Sequence, residues 1–216
     1  MKGREAGCEA IVARWRRLCA ELDAHGVRLI AVSKYAPDAA VTCLAAAGQV
    51  DFGESRPQQL RDRAERFPGA RWHMIGPVQR NKARYIGRHA AMWHSLEDID
   101  TAREVARHVE GRRLPVLIQV NISDEPQKHG VAPDAVPGLL AGLRGIPELE
   151  VIGLMGMAAR QGDARAAFAR LRDLRDGLAD ASLRQLCMGM SGDYRIAVEE
   201  GATMVRLGSV LFGAEV

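Results

Sequence analysis

The sequence lacks the features that mark several large functional classes. Its 30 basic and 27 acidic residues leave a net charge of only +3, and the basic residues are spread along the chain. Nucleic-acid binding is therefore not expected. No apolar run approaches the roughly 18 residues that a membrane helix requires, and residues 1–22 carry charges throughout, with no signal-peptide core. We expect no membrane partner and predict a cytoplasmic protein.

Metal-binding and disulfide patterns are missing as well. The four cysteines show no CxxC or zinc-type spacing, and the six histidines form no HxxxH or HxH pair. A metal site is therefore not expected. Reduced thiols are favoured over disulfides, as is usual in a cytoplasmic protein. The cysteines are Cys8, Cys19, Cys43 and Cys187.

Linkers and low-complexity segments are also absent, so residues 1–216 are predicted to form a single domain. Its first element is predicted to be an amphipathic helix over residues 4–25. Apolar side chains recur there at helical spacing, at Ile11, Trp15, Leu18 and Leu22.

After this helix, short apolar runs alternate with helical segments. Eight runs are typical of buried parallel strands, at residues 28–34, 50–54, 71–75, 91–95, 114–122, 149–155, 186–190 and 203–207. Helices are predicted between them, at residues 37–47, 57–66, 81–88, 96–110, 133–143, 163–178 and 193–200. Eight βα units close most simply into a (β/α)₈ TIM barrel of the α/β class; a doubly wound open sheet is the alternative.

In such a barrel the active site lies at the carboxyl ends of the strands. The first strand ends in Lys34, which either extends to solvent or lies in a carbonyl-binding pocket, neutral often enough to form a Schiff base. Ser55, His73 and Asn121 follow other strands. His73 either lines the pocket or caps its strand, and Asn121 either faces the mouth or hydrogen-bonds to loop backbone groups.

Two strand ends have the composition of phosphate sites. The seventh strand leads into a helix through small residues that include Met190 and Ser191, and the eighth leads on through Arg206–Ser209. Glycine leaves backbone N–H groups open to phosphate oxygens, and the loops after strands seven and eight are the usual phosphate site of this barrel. The alternative is that the glycines only allow tight turns. A lysine facing a phosphate site suggests pyridoxal phosphate, which carries an aldehyde and a phosphate.

Eight short segments between about residue 28 and residue 213 follow the order of a known family. The most specific is WHMIGPVQRNK at residues 72–82. The others are AVSK at 31–34, FGE at 52–54, QVNIS at 119–123, KHG at 128–130, GLM at 153–155, LCMGMS at 186–191 and MVRLGS at 204–209. Together they resemble the pyridoxal phosphate homeostasis protein family, and the resemblance implies an alanine racemase-like barrel with an extra N-terminal helix.

The resemblance also implies roles for individual residues. Lys34 matches the lysine that forms the internal aldimine with pyridoxal 5'-phosphate (PLP). Arg206 matches the arginine that faces the pyridine nitrogen. Ser191, Gly208 and Ser209 match the positions that hold the phosphate through hydroxyl and backbone N–H groups.

The function implied by the resemblance is to store PLP and deliver it to apoenzymes, as a monomer and without a turnover reaction. An arginine only donates hydrogen bonds, so it keeps the ring nitrogen unprotonated and the ring a weak electron sink. Two alternatives stay open: a racemase-like PLP enzyme and a phosphate-sugar aldolase or isomerase. The alternative for Arg206 is an ordinary ion pair with Glu54. At residue 55 the chain departs from the family, because Ser55 stands where the family usually has asparagine.

Overall fold

Eight parallel strands form the centre of the computed structural model, which describes residues 2–123, 125 and 129–213. The strands are β1 (Arg28–Val32), β2 (Asp51–Glu54), β3 (Arg71–Met74), β4 (Met92–Leu96), β5 (Leu114–Val120), β6 (Leu149–Gly156), β7 (Gln185–Cys187) and β8 (Met204–Leu207). Each strand pairs with the next, and β1 pairs with β8 to close the ring. The predicted (β/α)₈ TIM barrel is confirmed, and the open-sheet alternative is wrong.

Helices alternate with these strands. Those in the described ranges are α1 (Lys2–Asp23), α2 (Asp38–Ala47), α3 (Pro57–Arg66), α4 (Ala83–His89), α5 (Ile99–Ala106), α6 (Val136–Leu143), α7 (Ala164–Gly177), α8 (Tyr194–Glu199) and α9 (Ser209–Phe212). Short 3₁₀ turns at Arg80–Lys82 and Pro133–Ala135 precede α4 and α6. The sequence pattern does not predict α9, whose four residues are too few to show a helical period.

Some elements begin or end a few residues away from their predicted bounds. The predicted helix over 96–110 is wrong at both ends, because β4 continues to Leu96 and α5 ends at Ala106. The Asp98 carboxylate then accepts a hydrogen bond from the Thr101 N–H and caps α5. β1 ends at Val32, two residues before the predicted end, so Lys34 lies in the loop that follows the strand.

The N-terminal helix packs as its pattern predicts. Leu18 and Leu22 are buried in the core, while Ile11 and Trp15 pack against it. The Arg14 guanidinium donates to the Leu211 carbonyl at 2.8 Å. α1 therefore packs against the last helix of the chain.

Two of the cysteines depart from the prediction of reduced thiols. Cys8 of α1 and Cys43 of α2 form a disulfide, with their Cα atoms 5.7 Å apart. Cys19 and Cys187 are free thiols, half-buried and buried respectively. The prediction is wrong for the first pair because only the packing of α1 on α2, which cysteine spacing does not reveal, brings them together.

No helix in the part of the chain that the structure describes is long and apolar enough to span a membrane. Across the same described ranges, no group of three or more His, Cys, Asp or Glu side chains is placed to hold a metal ion.

The contact between β6 and β7 depends on a glycine. Gly153 pairs with Gln185, and a Cβ built on Gly153 would lie 1.9 Å from the Gln185 carbonyl oxygen. Any side chain there requires one of the two strands to move. Because both strands belong to a closed barrel, that movement is resisted by their other neighbours.

Gly153→Ala is therefore expected to lower the free energy of unfolding by about 3 kcal/mol, since an overpacked contact strains the backbone. The matched control is Gly138→Ala on the exposed side of α6, where an added Cβ meets nothing within 4 Å. That control is expected to gain about 0.5–1 kcal/mol. Urea denaturation measures both changes, and a Gly153→Ala variant as stable as the parent would contradict the strand contact.

Candidate functional site

A cavity of about 450 Å³ opens at the carboxyl ends of the strands, beside β1 and β8. We call it the mouth cavity. It brings together seven of the nine predicted site residues, namely Lys34, Ser55, Met190, Ser191, Arg206, Gly208 and Ser209. A wider groove of about 830 Å³ adjoins it and shares Met157, Arg160 and Met190 with it.

Lys34 lies two residues beyond Val32, the last residue of β1, and both residues line the mouth cavity. Within the strand the side chains alternate, and Ile30 faces the barrel interior. The lysine is half-buried, with its Nζ 5.1 Å from the centroid of the Tyr35 ring. An amine in this position can meet a ligand that enters the mouth.

Helix α3 holds the loop that carries Lys34. The Gln59 amide donates to the Lys34 carbonyl at 3.3 Å, and the Arg63 guanidinium donates to the Ala36 carbonyl at 2.5 Å. The Ser33 hydroxyl donates to Glu54 Oε1 at 2.7 Å. These contacts restrain the backbone on both sides of the lysine.

Glu54 is not the partner of Arg206, so that alternative is wrong. Its carboxyl group is fully buried and lies near Ser33 and Arg63, whose Nε is 3.5 Å from Glu54 Oε1. Burial raises the pKa of Glu54, against the opposing effects of Ser33 and Arg63. Glu54 therefore stabilises the loop that carries Lys34.

The loops after β7 and β8 converge on one serine hydroxyl. Ser191 Oγ accepts hydrogen bonds from the backbone N–H groups of Gly208 at 3.4 Å and Val210 at 3.3 Å. Gly189 makes the turn possible: its φ is +92°, and an added Cβ would lie 2.6 Å from the Ala197 Cβ. The glycine is therefore needed for the turn, and the same turn places N–H and hydroxyl donors side by side.

Arg206 lies under the mouth cavity and is only 4% exposed. Its Nη1 donates to the Cys187 carbonyl at 2.9 Å and to the Cys187 sulfur at 3.0 Å, and its Nη2 donates to the Gly156 carbonyl at 3.2 Å. These contacts use at most three of the five guanidinium N–H groups. No carboxylate in the described ranges forms an ion pair with it. Its charge is therefore available to a ligand in the mouth.

Two predicted site residues do not reach the mouth cavity. His73 is buried inside the barrel, where its Nε2 lies 2.9 Å from Asp51 Oδ1 and its Nδ1 lies 2.8 Å from His94 Nε2. Asn121 organises the loop after β5: its amide donates to the Glu125 carbonyl at 2.9 Å and its oxygen accepts from the Ser123 hydroxyl at 2.8 Å. Of the two alternatives for Asn121, hydrogen bonding to loop backbone groups is therefore the one that the structure shows.

Four residues of this region are not among the predicted site residues. Arg160, in the loop beyond β6, and Phe212, on the unpredicted helix α9, both line the mouth cavity. No local pattern distinguishes Arg160 from other loop arginines. His94 and Cys187 face the interior of the barrel, and for His94 the period of two from Met92 was the available signal.

Comparison with known proteins identifies the family. The model of the alanine racemase N-terminal domain matches residues 8–216. A pyridoxal phosphate homeostasis protein from Deinococcus radiodurans is 43% identical over 188 residues, which is 86% of this chain and 88% of that protein. The chain belongs to the pyridoxal phosphate homeostasis protein family.

Solved structures agree with this family assignment. PipY of Synechococcus elongatus, solved with PLP bound, is 33% identical and superposes with a TM-score of 0.84, covering 94% of this chain and all of that chain. Alanine racemase from Corynebacterium glutamicum is 16% identical, with a TM-score of 0.72, covering 94% of this chain and 60% of that chain. The second likeness shows a shared barrel fold alone.

The two interior histidines make stability depend on pH. Burial lowers the pKa of His73 and lowers that of His94 well below the ordinary value of 6.5. In the unfolded chain both bind protons below that pH, so acid favours unfolding. Above pH 6.5 the two histidines therefore do not lower the free energy of unfolding. Below pH 6.5 they make it decrease as the pH falls.

We expect the free energy of unfolding to fall by up to about 1.4 kcal/mol per pH unit below 6.5 for each buried histidine. His94→Phe should make the slope between pH 6.5 and 5 shallower by about that amount. His25→Phe, at an exposed position, should leave the slope unchanged. Denaturant titrations at several pH values test this, and equal slopes in all three proteins would contradict neutral buried histidines.

Proposed function

We propose that this chain binds PLP in the mouth cavity and serves intracellular PLP homeostasis by storing and delivering the cofactor, without a turnover reaction. The observation that carries the proposal is one cavity lined by Lys34, by Arg206 and by the donors of the loops after β7 and β8. Family membership and the PLP-bound structure of PipY support the same function.

The donors of the mouth cavity fit the three functional groups of this cofactor. Lys34 supplies a primary amine. The Ser191 and Ser209 hydroxyls would supply phosphate donors, and the Gly208 N–H, which lies 3.4 Å from Ser191 Oγ, is beside them. Arg206 supplies N–H groups for a ring acceptor. When bound, PLP provides an aldehyde that a primary amine attacks with loss of one water molecule.

Arg206 favours storage over turnover. A guanidinium stays charged and has no acceptor, so a ring nitrogen that faces it must accept a hydrogen bond and remain unprotonated. An unprotonated ring stabilises a carbanion poorly, and racemases depend on that stabilisation. Arg206, as the residue that would face the ring nitrogen, therefore favours a carrier over a racemase-like enzyme.

We further infer that residues 1–216 act as a single-domain, monomeric carrier in the cytoplasm, with PLP-dependent apoenzymes as the recipients. Met190, at the rim, is 38% exposed, so the cavity communicates with solvent, as delivery requires. Ser55 also lines the cavity, so its hydroxyl is a candidate contact for the cofactor.

Lys34→Ala is expected to abolish the near-violet absorbance of the PLP-loaded protein while leaving the barrel folded, since Lys34 lies in a loop and is half-buried. The chain has four lysines (Lys2, Lys34, Lys82 and Lys128), so borohydride reduction followed by peptide mass spectrometry identifies the one that holds PLP. Lys82→Ala is the matched control and should label as the parent does. Label on another lysine, or label retained by Lys34→Ala, would overturn the assignment.

Ser191→Ala is expected to weaken PLP binding about tenfold, the usual effect of removing one hydrogen bond to a charged group. Pyridoxal, which lacks the phosphate, should bind parent and variant equally. Ser182→Ala, at an exposed serine outside the mouth cavity, is the control. Absorbance titrations with both ligands measure the effect. An equal loss of pyridoxal binding would place Ser191 away from the phosphate.

A further inference from the structure

Polar side chains cross the barrel interior in an unbroken line from the mouth cavity towards the opposite end. Arg206 Nη1 lies 3.0 Å from Cys187 Sγ, which lies 3.2 Å from His94 Nδ1. His94 Nε2 lies 2.8 Å from His73 Nδ1, and His73 Nε2 lies 2.9 Å from Asp51 Oδ1. We call these five residues the interior relay.

The relay replaces the apolar side chains that usually fill such a barrel. His94 and Cys187 are fully buried, and Arg206 and His73 are nearly so. Their apolar neighbours in the interior include Ile30, Met92, Leu117 and Met155. Buried polar groups are costly unless each finds a partner. Every member of this line has a partner, so the line is a continuous and satisfied network.

The protonation states determine which atom donates and which accepts in each hydrogen bond of the relay. Burial alone raises the pKa of Asp51, but hydrogen bonds from His73 and Arg71 outweigh it and lower the pKa to about 2. Asp51 is therefore a carboxylate and must accept from His73 Nε2. Because burial lowers the pKa of His73, the ring is neutral and its Nδ1 accepts from His94 Nε2.

The same reasoning continues to the sulfur. His94 is also neutral, so its Nδ1 is an acceptor. Burial raises the pKa of Cys187, partly offset by Arg206, so the group is a thiol whose S–H donates to His94. The sulfur lone pairs are then left to accept from Arg206. Asp51, at the far end, fixes the tautomers of both histidines and with them the orientation of the thiol.

We propose that Cys187 is a positioning residue for PLP binding: its sulfur, oriented through His94 and His73 by Asp51, holds the Arg206 guanidinium against the pyridine nitrogen. This inference rests on the proposed function. A neutral sulfur directs the guanidinium without placing a negative charge beside it. The charge of Asp51 lies at the other end of the relay, where two hydrogen bonds of 2.7 Å from Arg71 bind it.

The test compares variants of Cys187 that differ at the position of its sulfur atom. Cys187→Ala removes both the acceptor and the donor, whereas Cys187→Ser keeps a hydroxyl that can do both. We expect Cys187→Ala to weaken PLP binding about tenfold, and Cys187→Ser to recover most of the loss. The absorption maximum of bound PLP should shift in the alanine variant and return in the serine variant. Cys19→Ala, a half-buried thiol outside the relay, and Met155→Leu, an apolar interior neighbour, are controls.

A double-mutant cycle separates positioning from packing. If Cys187 acts through Arg206, its replacement should weaken binding in the parent and have no further effect in an Arg206→Ala background. Additive losses would mean that Cys187 acts through the fold and would overturn the inference. If Cys187→Ala does not fold, Cys187→Val keeps the volume while removing both hydrogen bonds, and the same outcomes apply.

The two proposals fail in different ways. A parent protein that binds no PLP would overturn the proposed function. A parent that binds PLP, with affinity and spectrum unchanged in Cys187→Ala or Cys187→Val, would overturn only the role of Cys187. Equal losses in the serine and alanine variants would also contradict it, because the hydroxyl should replace the thiol.

Discussion

The pairing of the first strand with the last is the constraint on which the site depends. Ile30 lies beside Arg206 and Ala31 beside Leu207. Residues nearly the whole chain apart thereby meet at one end of the barrel, with Lys34 on one side and the Gly208–Ser209 turn on the other. Without this closure the amine and the phosphate donors would belong to separate edges of an open sheet.

Much of this arrangement could be predicted because it depends on local patterns. Apolar runs predict the eight strands. Because the active site of such a barrel lies at the carboxyl ends of its strands, Lys34, Ser191 and Arg206 are predicted to be neighbours. The start of α5 could not be predicted from periodicity, because the Asp98 cap overrode the helical pattern. The disulfide between Cys8 and Cys43 depends on how two helices pack, which spacing does not encode.

The same rule was less informative for His73 and Asn121, for two different reasons. His73 pairs with Gly53, one position before the end of β2, so its side chain lies below the mouth and inside the barrel. Asn121 lies beyond the end of β5 and turns back to its own loop. Closeness to the end of a strand therefore predicts only the region in which a residue lies. The depth of its side chain in the barrel and the direction in which it points determine its contacts.

The disulfide has a topological consequence for the loop that carries Lys34. Cys8 and Cys43 are separated by 35 residues, and the covalent ring that they close contains β1 and Lys34. While that bond is intact, a protease that cuts once inside the ring leaves both fragments tethered. The reactive amine would then stay attached to the barrel even after its own segment had been nicked.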